Sequence, residues 1–335
     1  MPDRPVLAFA LSPERTHNVF APRDYERLAA CCTIPQQAPI RHFADAASLL
    51  REVEVLVTGW GCPPIDSAML AAAPRLRLIA HAAGTVKTFI SRAVFDRDIV
   101  VTHAAAANAL PVAEFTLAAI LFANKRVLHF RTLYAGARRG GIAEELAREP
   151  IGNYRKTIGI IGASRIGRRV IELLRPFDLA VLLYDPFVTP DEAAALGVEP
   201  VRLDALLERA DVVSLHAPSL PGTRHMLDAR GLARMGDGAT LINTARGGLV
   251  DQVALEAELV SGRIDAVIDV TEPEVLPATS PLYGLPNVLL TPHIAGALGL
   301  ERQRLGALVA DEVERYVRGE PLRHRVEVQM LEHMA

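Results

Sequence analysis

The chain contains 335 residues, 50% of them apolar and 22% charged, a composition that is typical of a folded protein and excludes a disordered one. This length is sufficient for two domains with separate cores. The 36 basic and 39 acidic side chains give a formal net charge of −3, so we expect no strongly basic surface for nucleic acid.

The apolar runs and the cysteines indicate in which cellular compartment the protein is expected. The run FTLAAILFA at 115–123 is far shorter than the roughly 20 residues that span a bilayer, and the N-terminus lacks the apolar stretch of a signal peptide. Cys31, Cys32 and Cys62 fit neither a disulfide framework nor the spacing of a zinc site. We therefore expect a cytoplasmic protein with reduced thiols, no metal, and no membrane or nucleic-acid partner.

Short aliphatic runs predict two series of parallel strands. The runs are continuously apolar, as is typical of strands that are buried on both faces. The first series is Val6–Ala10, Val53–Thr58, Leu76–Ala80 and Val100–Thr102. The second series is Thr157–Ile161, Ala180–Tyr184, Val212–Leu215, Thr240–Asn243, Ala266–Asp269 and Val288–Thr291. Helical patterns between them include Ile65–Ala73, Ile166–Arg175, Leu203–Arg209 and Val253–Ser261. This alternation predicts an α/β protein with doubly wound parallel sheets.

A long helical stretch, Ala104–Arg138, separates the two series of strands. It is apolar on more than one face, so other groups must cover it from several sides. It is either a deep core helix or a core helix that also forms a subunit interface. We favour the interface, and expect Asn108–Arg138 to pair with its symmetry mate in a homodimer.

The segment TIGIIGASRIG runs from a predicted strand through Gly162, Ser164 and Gly167 into a helix. This is the G-x-G-x-x-G arrangement with serine in its second position. The first glycine permits a tight turn, the small second residue admits a pyrophosphate, and the third allows close packing of helix on strand. The helix N-terminus attracts the anion, and Arg165 is placed to add a charge.

The next predicted strand ends at Asp185. This residue is either a turn residue or the carboxylate that accepts hydrogen bonds from the adenosine ribose, which would favour NAD over NADP. Together with the glycine turn, it predicts a dinucleotide site.

Three later segments place polar residues after predicted strands, where open α/β sheets bind ligands. Taken singly, each residue also has an ordinary structural interpretation, such as a solvated charge or a structural hydrogen-bond donor. They are Arg246 in LINTARGGLVD, Asp269, Glu272 and Glu274 in IDVTEPEVLP, and His293 in LTPHIAG.

In their order along the chain, these motifs resemble the D-isomer-specific 2-hydroxyacid dehydrogenase family. The matching stretches are ANALPVAEFTLAAIL, TIGIIGASRIGRRV, HAPSLPGTRHML, LINTARGGLVDQVAL and DVTEPEVLPATSPLYGLPNVLLTPHIAG. They cover roughly residues 100–300, whereas the first 100 residues match only loosely.

The resemblance implies a role for each polar residue. Arg246 would bind the substrate carboxylate and polarise the 2-oxo group, and His293 would donate a proton to that oxygen as the hydride arrives. Glu274 would hydrogen-bond His293 and orient it, and is preferred to Glu272 because the family glutamate lies five positions after the aspartate that matches Asp269. Asp269 would contact the nicotinamide carboxamide.

The cofactor implied by the resemblance is NAD(H), with no metal. The residues expected to bind it are Gly162, Ser164, Arg165, Ile166, Gly167, Asp185, His216, Pro218, Thr223, Thr244, Ala245, Asp269 and His293.

Three features depart from the family pattern. Ser164 replaces the second fingerprint glycine, and the interval from Arg246 to Glu274 is one residue shorter than is common. In the first domain, the segment Gly84-Thr85-Val86-Lys87 replaces the usual glycine-and-aspartate loop, whose N–H groups bind the substrate carboxylate in the family.

Substrate selectivity is expected from the first domain. Trp60 either packs against a helix or walls the pocket, and Lys87 is either a solvated charge or a second cation near Arg246. The second alternatives would favour 2-oxo acids that carry a distal polar or anionic group. The expected substrate-binding residues are Trp60, Gly84, Thr85, Val86, Lys87 and Arg246.

We therefore expect a Rossmann-type cofactor domain at 103–292 and a flavodoxin-like substrate domain formed by 1–102 and 293–335. The two would flank a cleft, with Glu301–Arg318 as a helix that returns to the first domain. The expected activity is the reversible, NAD-dependent reduction of a small 2-oxo acid to a D-2-hydroxy acid. The alternatives are an NAD-sensing corepressor of the same fold, and a formate or phosphite dehydrogenase. A formate dehydrogenase usually carries glutamine where Glu274 stands.

Overall fold

The computed structural model describes residues 4–14, 16–145 and 150–332. These residues divide into two compact units, which we call unit 1 (Met1–Ala109 and Ala297–Ala335) and unit 2 (Leu110–Gly296). The sequence-based boundaries were at 102/103 and 292/293. The first observed boundary lies inside a helix, because Ala107 belongs to the core of unit 1 and Ala113 to the core of unit 2.

The strands and helices follow the predicted alternation. The strands are β1 Val6–Ala10, β2 Val53–Thr58, β3 Leu78–His81, β4 Val100–His103, β5 Thr157–Ile161, β6 Ala180–Tyr184, β7 Glu199–Pro200, β8 Val212–Leu215, β9 Thr240–Asn243, β10 Asp265–Ile268 and β11 Val288–Leu290. The helices are α1 Pro22–Cys31, α2 Ala47–Leu50, α3 Ser67–Ala72, α4 Arg92–Phe95, α5 Ala105–Asn124, α6 Val127–Ala137, α7 Ile142–Glu145, α8 Arg165–Leu174, α9 Pro190–Leu196, α10 Leu203–Arg209, α11 Ala229–Arg234, α12 Gln252–Ser261 and α13 Gln303–Val317.

Unit 1 contains a parallel sheet with the order β1-β2-β3-β4. A single parallel bridge joins Thr33 to Val6 at the free edge of β1, and a single antiparallel bridge joins Arg325 to Thr102 at the edge of β4. If the segment at Thr33 is counted as a second strand, the parallel order becomes 2-1-3-4-5. This is the flavodoxin-like order.

The two faces of this sheet carry separate cores. Leu7 and Phe9 of β1 pack on one face, and Ala8 and Ala10 pack on the other. Since successive strand residues point to opposite faces, the continuous apolar run of β1 requires cover on both sides. Helices α1 and α13, which contact each other, cover the first face, and α2, α3 and α4 cover the second.

A buried carboxylate fastens the C-terminal segment of unit 1. Glu312 in α13 is fully buried and accepts hydrogen bonds from the N–H groups of Arg323 and His324, each at 3.1 Å. The same segment pairs with β4, where the Val326 N–H donates to the Val101 carbonyl at 2.8 Å. Three N–H···O contacts compensate the cost of burying this charge.

Unit 2 contains a seven-stranded parallel sheet with the order β11-β10-β9-β8-β5-β6-β7. Numbered from the first strand of the unit, this is the Rossmann order 3-2-1-4-5-6 with one strand added. The order reverses between β5 and β8, and open α/β sheets bind ligands at such a reversal. The short strand β7 was not predicted, because it consists of two exposed residues without an apolar run.

The predicted helix Ala104–Arg138 is interrupted. It forms α5 and α6, separated at Arg126, whose φ of +49° lies in the left-handed region and breaks the helical ladder. By length and composition α5 is able to cross a membrane, a criterion that core helices also meet, and 44% of its most apolar stretch is buried inside the protein. The absence of a membrane partner stays a prediction.

Candidate active site

Close packing forms the turn that follows β5. Gly162 has a φ of +97°, and a Cβ atom there would lie 2.6 Å from the Ala217 nitrogen. A Cβ atom at Gly167 would lie 2.1 Å from the Gly162 carbonyl oxygen. Both positions therefore require glycine, because the turn packs directly on the loop after β8 and on its own helix.

Serine replaces the second fingerprint glycine without strain. Ser164 has an extended backbone conformation, and its hydroxyl accepts a hydrogen bond from the Gly167 N–H at 3.3 Å as the N-cap of α8. Arg165 is exposed at the first position of the helix, and Ile166 packs against the core. The departure from the family pattern thus has a local function, because a serine N-cap satisfies an N–H at the helix end.

Asp185 follows β6 and fastens the glycine turn. One carboxylate oxygen accepts from the Ala163 N–H at 2.7 Å, and the other accepts from the Phe187 N–H at 2.8 Å. Since each carboxylate oxygen has two acceptor sites, this carboxylate retains capacity for further donors beside the turn.

His216 follows β8 and lies against the glycine turn. It is 4% exposed, and burial lowers its pKa to about 3, so the imidazole is neutral. Its Nε2 atom lies 3.0 Å from the Ser214 hydroxyl, whereas Nδ1 has no hydrogen-bond partner among the described residues. Further along this loop, the Thr223 hydroxyl donates to the Pro218 carbonyl at 2.6 Å.

The loop after β9 presents Arg246. The Asn243 side chain shapes this loop, because its amide donates to the Arg246 carbonyl at 3.0 Å and its oxygen accepts from the Ala245 N–H at 3.1 Å. Ala245 is buried, and the buried Thr244 hydroxyl lies 3.0 Å from the Thr116 hydroxyl in α5. The loop geometry is therefore fixed on both sides of the arginine.

Arg246 itself reaches solvent, but protein atoms surround much of its side chain. Desolvation lowers the pKa of the guanidinium, and the carboxylate of Glu274 opposes this shift. A partly desolvated guanidinium binds carboxylates strongly, because its planar fork offers two parallel N–H donors.

A glycine brings two of the site loops together. A Cβ atom at Gly247 would lie 2.1 Å from the Thr271 carbonyl carbon, so the loop after β9 presses directly on the loop after β10. This contact holds Arg246 within electrostatic range of Glu274.

The two glutamates after β10 have different partners. Glu272 pairs with Arg224 at 2.8 Å and with His225 at 3.5 Å, and Arg224 holds the pKa of the Glu272 carboxyl below its usual range. Glu274 instead contacts Nδ1 of His293 through its Oε1 atom. The structure therefore brings Glu274, and not Glu272, to the predicted histidine.

Asp269 fixes the loop that carries His293. Its carboxylate is buried and accepts from the Thr291 hydroxyl at 2.6 Å, the Ile294 N–H at 2.7 Å and the Ala295 N–H at 2.9 Å. The His293 N–H donates to the Asp269 carbonyl at 2.9 Å, and His293 has a φ of +56°. The aspartate thus holds a left-handed backbone conformation that few side chains adopt freely.

These residues fit a dinucleotide. Helix α8 begins at the Gly162 and Gly167 turn, where its N-terminus favours an anion, and the buried His216 Nδ1 beside the turn has no hydrogen-bond partner among the described residues. NAD(H) would lie along this turn, with Asp185 on the adenosine side.

The predicted substrate residues of unit 1 are on separate turns. Val86 is fully buried in the core, backbone included, whereas Lys87 is exposed. Trp60 is half-buried against the core, and the Arg302 guanidinium lies 5.3 Å from the centre of its ring. The packing alternative for Trp60 therefore accounts for at least part of its environment.

Residues 117–295 match the family described as D-isomer specific 2-hydroxyacid dehydrogenase, NAD binding domain. The chain belongs to this family.

Relatives of this 2-hydroxyacid dehydrogenase family member differ in length. A D-3-phosphoglycerate dehydrogenase of Mycobacterium leprae is 35% identical over 258 residues, which are 76% of this chain and 48% of that protein. A glyoxylate reductase of Korarchaeum cryptofilum is 36% identical over 258 residues, which are 77% of this chain and 78% of that protein. The chain thus spans about half the length of the phosphoglycerate dehydrogenases it matches.

A solved structure covers both units of this family member. The phosphoglycerate oxidoreductase from Rhizobium etli aligns with a TM-score of 0.80 and 26% identity, over 97% of this chain and 99% of that one. Among the described residues, no group of three metal-ligating side chains occurs that could hold a metal ion.

Sequence reasoning missed several residues that shape the site of this dehydrogenase family member. Asn243, Gly247 and Thr291 position the three predicted side chains through hydrogen bonds or close contact. Asn243 ends a predicted strand immediately before a turn, where asparagine often bonds to nearby backbone, and this signal was available.

Proposed function

We propose that the chain catalyses the reversible, NAD-dependent reduction of a small 2-oxo acid to a D-2-hydroxy acid. The observation that carries this proposal is the contact of Glu274 with Nδ1 of His293, with Arg246 in electrostatic range. Family membership supports the same reaction class.

The proposed chemistry assigns one task to each side chain. Arg246 binds the substrate carboxylate and polarises the 2-oxo group. Glu274 accepts from Nδ1 of His293, which leaves Nε2 as the ring atom that transfers a proton to the 2-oxo oxygen. NAD(H), when bound, supplies the hydride in one direction and accepts it in the other.

We also propose which cofactor and which kind of substrate the chain prefers. The Asp185 carboxylate beside the glycine turn would repel a 2′-phosphate, so NADH is the proposed cofactor rather than NADPH. Lys87 is proposed to favour substrates with a distal anion. The named relatives differ in this respect. The substrate in the name D-3-phosphoglycerate dehydrogenase carries a distal phosphate, whereas the glyoxylate of the glyoxylate reductase has no distal group.

A panel of 2-oxo acids tests the activity. Oxidation of NADH and of NADPH is followed with glyoxylate, pyruvate, 2-oxobutyrate and 3-phosphohydroxypyruvate, for the wild type and for Lys87→Met. We expect turnover with NADH, and a preference for the phosphorylated substrate that Lys87→Met reduces. Absence of turnover with every acid would favour the NAD-sensing corepressor, and equal use of all acids by both proteins would remove Lys87 from selectivity.

We also infer a homodimer that forms through α5 and α6. Phe122 in α5 is 60% exposed and Tyr134 in α6 is 64% exposed, and both are large apolar side chains that a subunit interface would cover. Sedimentation at micromolar concentration tests this inference, and a stable monomer would contradict it. A cytoplasmic location is proposed as well, supported by the three free cysteines.

A further inference from the structure

Two cysteines meet at the C-terminal end of helix α1 in unit 1. Cys31 is the last residue of the helix, and Cys32 caps it in an extended conformation with φ −127° and ψ 159°. Side chains of adjacent residues do not face each other in a regular helix and point to opposite faces of a strand. The change of backbone conformation between the two cysteines instead brings their Sγ atoms to 3.8 Å, so the two thiols are in direct contact.

The two thiols differ in their access to solvent. Cys31 is half-buried, whereas Cys32 is 2% exposed, in the core that α1 and α13 cover. A small dissolved reagent therefore reaches Cys31 first. The third cysteine of the chain, Cys62, packs against the other core of unit 1, and its thiol donates to the Pro63 carbonyl at 3.3 Å.

The thiols also differ in ionisation. The nucleophile of a cysteine is its thiolate, not its thiol. The hydrogen bond with Cys32 lowers the pKa of Cys31 to about 7, and the same contact raises the pKa of Cys32. Burial raises the pKa of Cys62 to about 12. Near neutral pH, a large fraction of Cys31 is therefore thiolate, with a protonated thiol beside it.

Charged groups on α13 face Cys31. The Glu314 carboxylate opposes ionisation of Cys31, and the Arg318 guanidinium favours it. Glu314 is itself paired with Arg27 at 2.8 Å and with Arg318 at 3.4 Å, so two guanidinium groups compensate its charge. A partly exposed thiolate near arginine is the environment of a reactive cysteine.

We propose that Cys31 is a site of reversible oxidation by hydrogen peroxide, with Cys32 as its resolving thiol. In the first step the Cys31 thiolate attacks one peroxide oxygen, the O–O bond breaks, and a sulfenic acid and hydroxide form. In the second step the Cys32 sulfur attacks the Cys31 sulfur, the S–O bond breaks, and the Cys32 proton leaves with the hydroxyl as water. The two thiols together lose two electrons and two protons, which reduce the peroxide to two molecules of water.

The position of the pair in the chain makes this disulfide easy to reduce. Cα atoms of adjacent residues are about 3.8 Å apart, whereas disulfides usually join Cα atoms about 4.4–6.8 Å apart. A disulfide outside this range is strained and more reducible. The oxidised pair is therefore a reversible modification and not a structural cross-link, in agreement with the free thiols of the structure.

Peroxide treatment followed by mass spectrometry tests the proposal in the native wild type. Dimedone, a 1,3-diketone that traps sulfenic acids, is present during oxidation, and free thiols are alkylated under denaturing conditions before digestion without reduction. We expect the peptide that contains Cys31 and Cys32 to lose two hydrogen atoms, to carry neither dimedone nor the alkyl group, and to regain both thiols with dithiothreitol. Cys62 should remain reduced and be alkylated, which makes it an internal control.

Two variants assign the roles of the two thiols. In Cys32→Ala the sulfenic acid has no resolving thiol, so we expect a stable dimedone adduct at Cys31. In Cys31→Ser we expect oxidation of Cys32 to be at least about tenfold slower than that of Cys31 in the wild type, because its thiol is buried and protonated. Cys62→Ser is the matched control and should be oxidised like the wild type.

Each outcome supports or overturns the proposal. A dimedone adduct or a sulfinic acid at Cys31 in the wild type would overturn the resolving role of Cys32, as would a disulfide between two chains. Oxidation of Cys62 at the same rate as Cys31 would overturn the selectivity. Neither Cys31 nor Cys32 belongs to the candidate active site and no readout is turnover, so failure of the proposed function would leave these results unchanged.

Discussion

In unit 2 the turn after β5 is fixed by crowding, because a Cβ atom at Gly167 would lie 2.1 Å from a carbonyl oxygen. In unit 1 the loop after β3 is not crowded, since a Cβ atom at Gly84 would have ordinary contact with Asn108 at 3.6 Å. Side-chain hydrogen bonds from His81 and His103 shape that loop instead. Both loops follow parallel strands, yet steric contact fixes one and buried imidazoles hold the other.

This difference explains why one of the two loops can be recognised from a sequence motif and the other cannot. A turn that depends on crowding requires glycine at fixed spacing, and such a requirement leaves a motif. A loop that depends on distant hydrogen-bond donors leaves none, because the histidines lie three or more positions outside it along the chain.

The largest effect is expected from His293→Ala. Loss of the proton donor should lower kcat by about 10²- to 10⁴-fold, the range for a general acid–base residue. KM should change little. Steady-state kinetics measure both values, and His225→Ala, which removes a partly exposed histidine paired with Glu272, is the control. Near-normal turnover in His293→Ala would exclude the assigned role.

A smaller effect is expected when crowding is added beside the site. Gly247→Ala would place a Cβ atom 2.1 Å from the Thr271 carbonyl carbon and force the two loops apart. We expect kcat/KM to fall about 10- to 100-fold, because a small displacement of a catalytic group reduces the rate strongly. Gly248→Ala is the matched control, since its nearest contact is the flexible Glu272 side chain at 3.3 Å.

Replacing a glycine by alanine in the loop after β3 of unit 1 should be tolerated. Gly84→Ala should keep kcat/KM within about threefold of the wild type, as ordinary van der Waals contact costs little. An equal loss in Gly84→Ala and Gly247→Ala would show that the two loops are not fixed in different ways.

A moderate effect is expected at the carboxylate behind the histidine. Glu274→Gln keeps a hydrogen-bond acceptor for Nδ1 of His293 but removes the negative charge, so kcat should fall about tenfold, as for one charge-assisted hydrogen bond. Glu272→Gln removes an exposed pair with Arg224 and should change kcat less than about twofold. Equal kinetics of the two variants would contradict the separate partners of these glutamates.

Much of the fold was predictable because burial on both faces requires continuous apolar runs. Strands such as β5 and β8 begin and end at the predicted residues. The interruption at Arg126 was not predicted, since the helical pattern continues through it and only the left-handed backbone marks the break. Strand β7 lacks the apolar signal altogether.

The site was predictable to the extent that motifs carry it. The partnership of Glu274 with His293 was implied by the family resemblance, in which the glutamate lies five positions after the aspartate that matches Asp269, and the structure brings the two together. The hydrogen bonds of Asp269 to three groups at 291–295 were not predicted. They join segments that are distant in sequence, and no local pattern reports such contacts.

The fastening of residues 323–326 to β4 has a consequence for biosynthesis. Unit 2 is one continuous segment, whereas unit 1 is completed only when Arg325 pairs with Thr102 and Glu312 binds the backbone beyond α13. Chains emerge from the ribosome N-terminus first. The edge of β4 therefore stays unpaired while all of unit 2 is translated, and an unpaired strand edge is a site of aggregation. Nascent chains of this protein should depend on chaperones most during that interval.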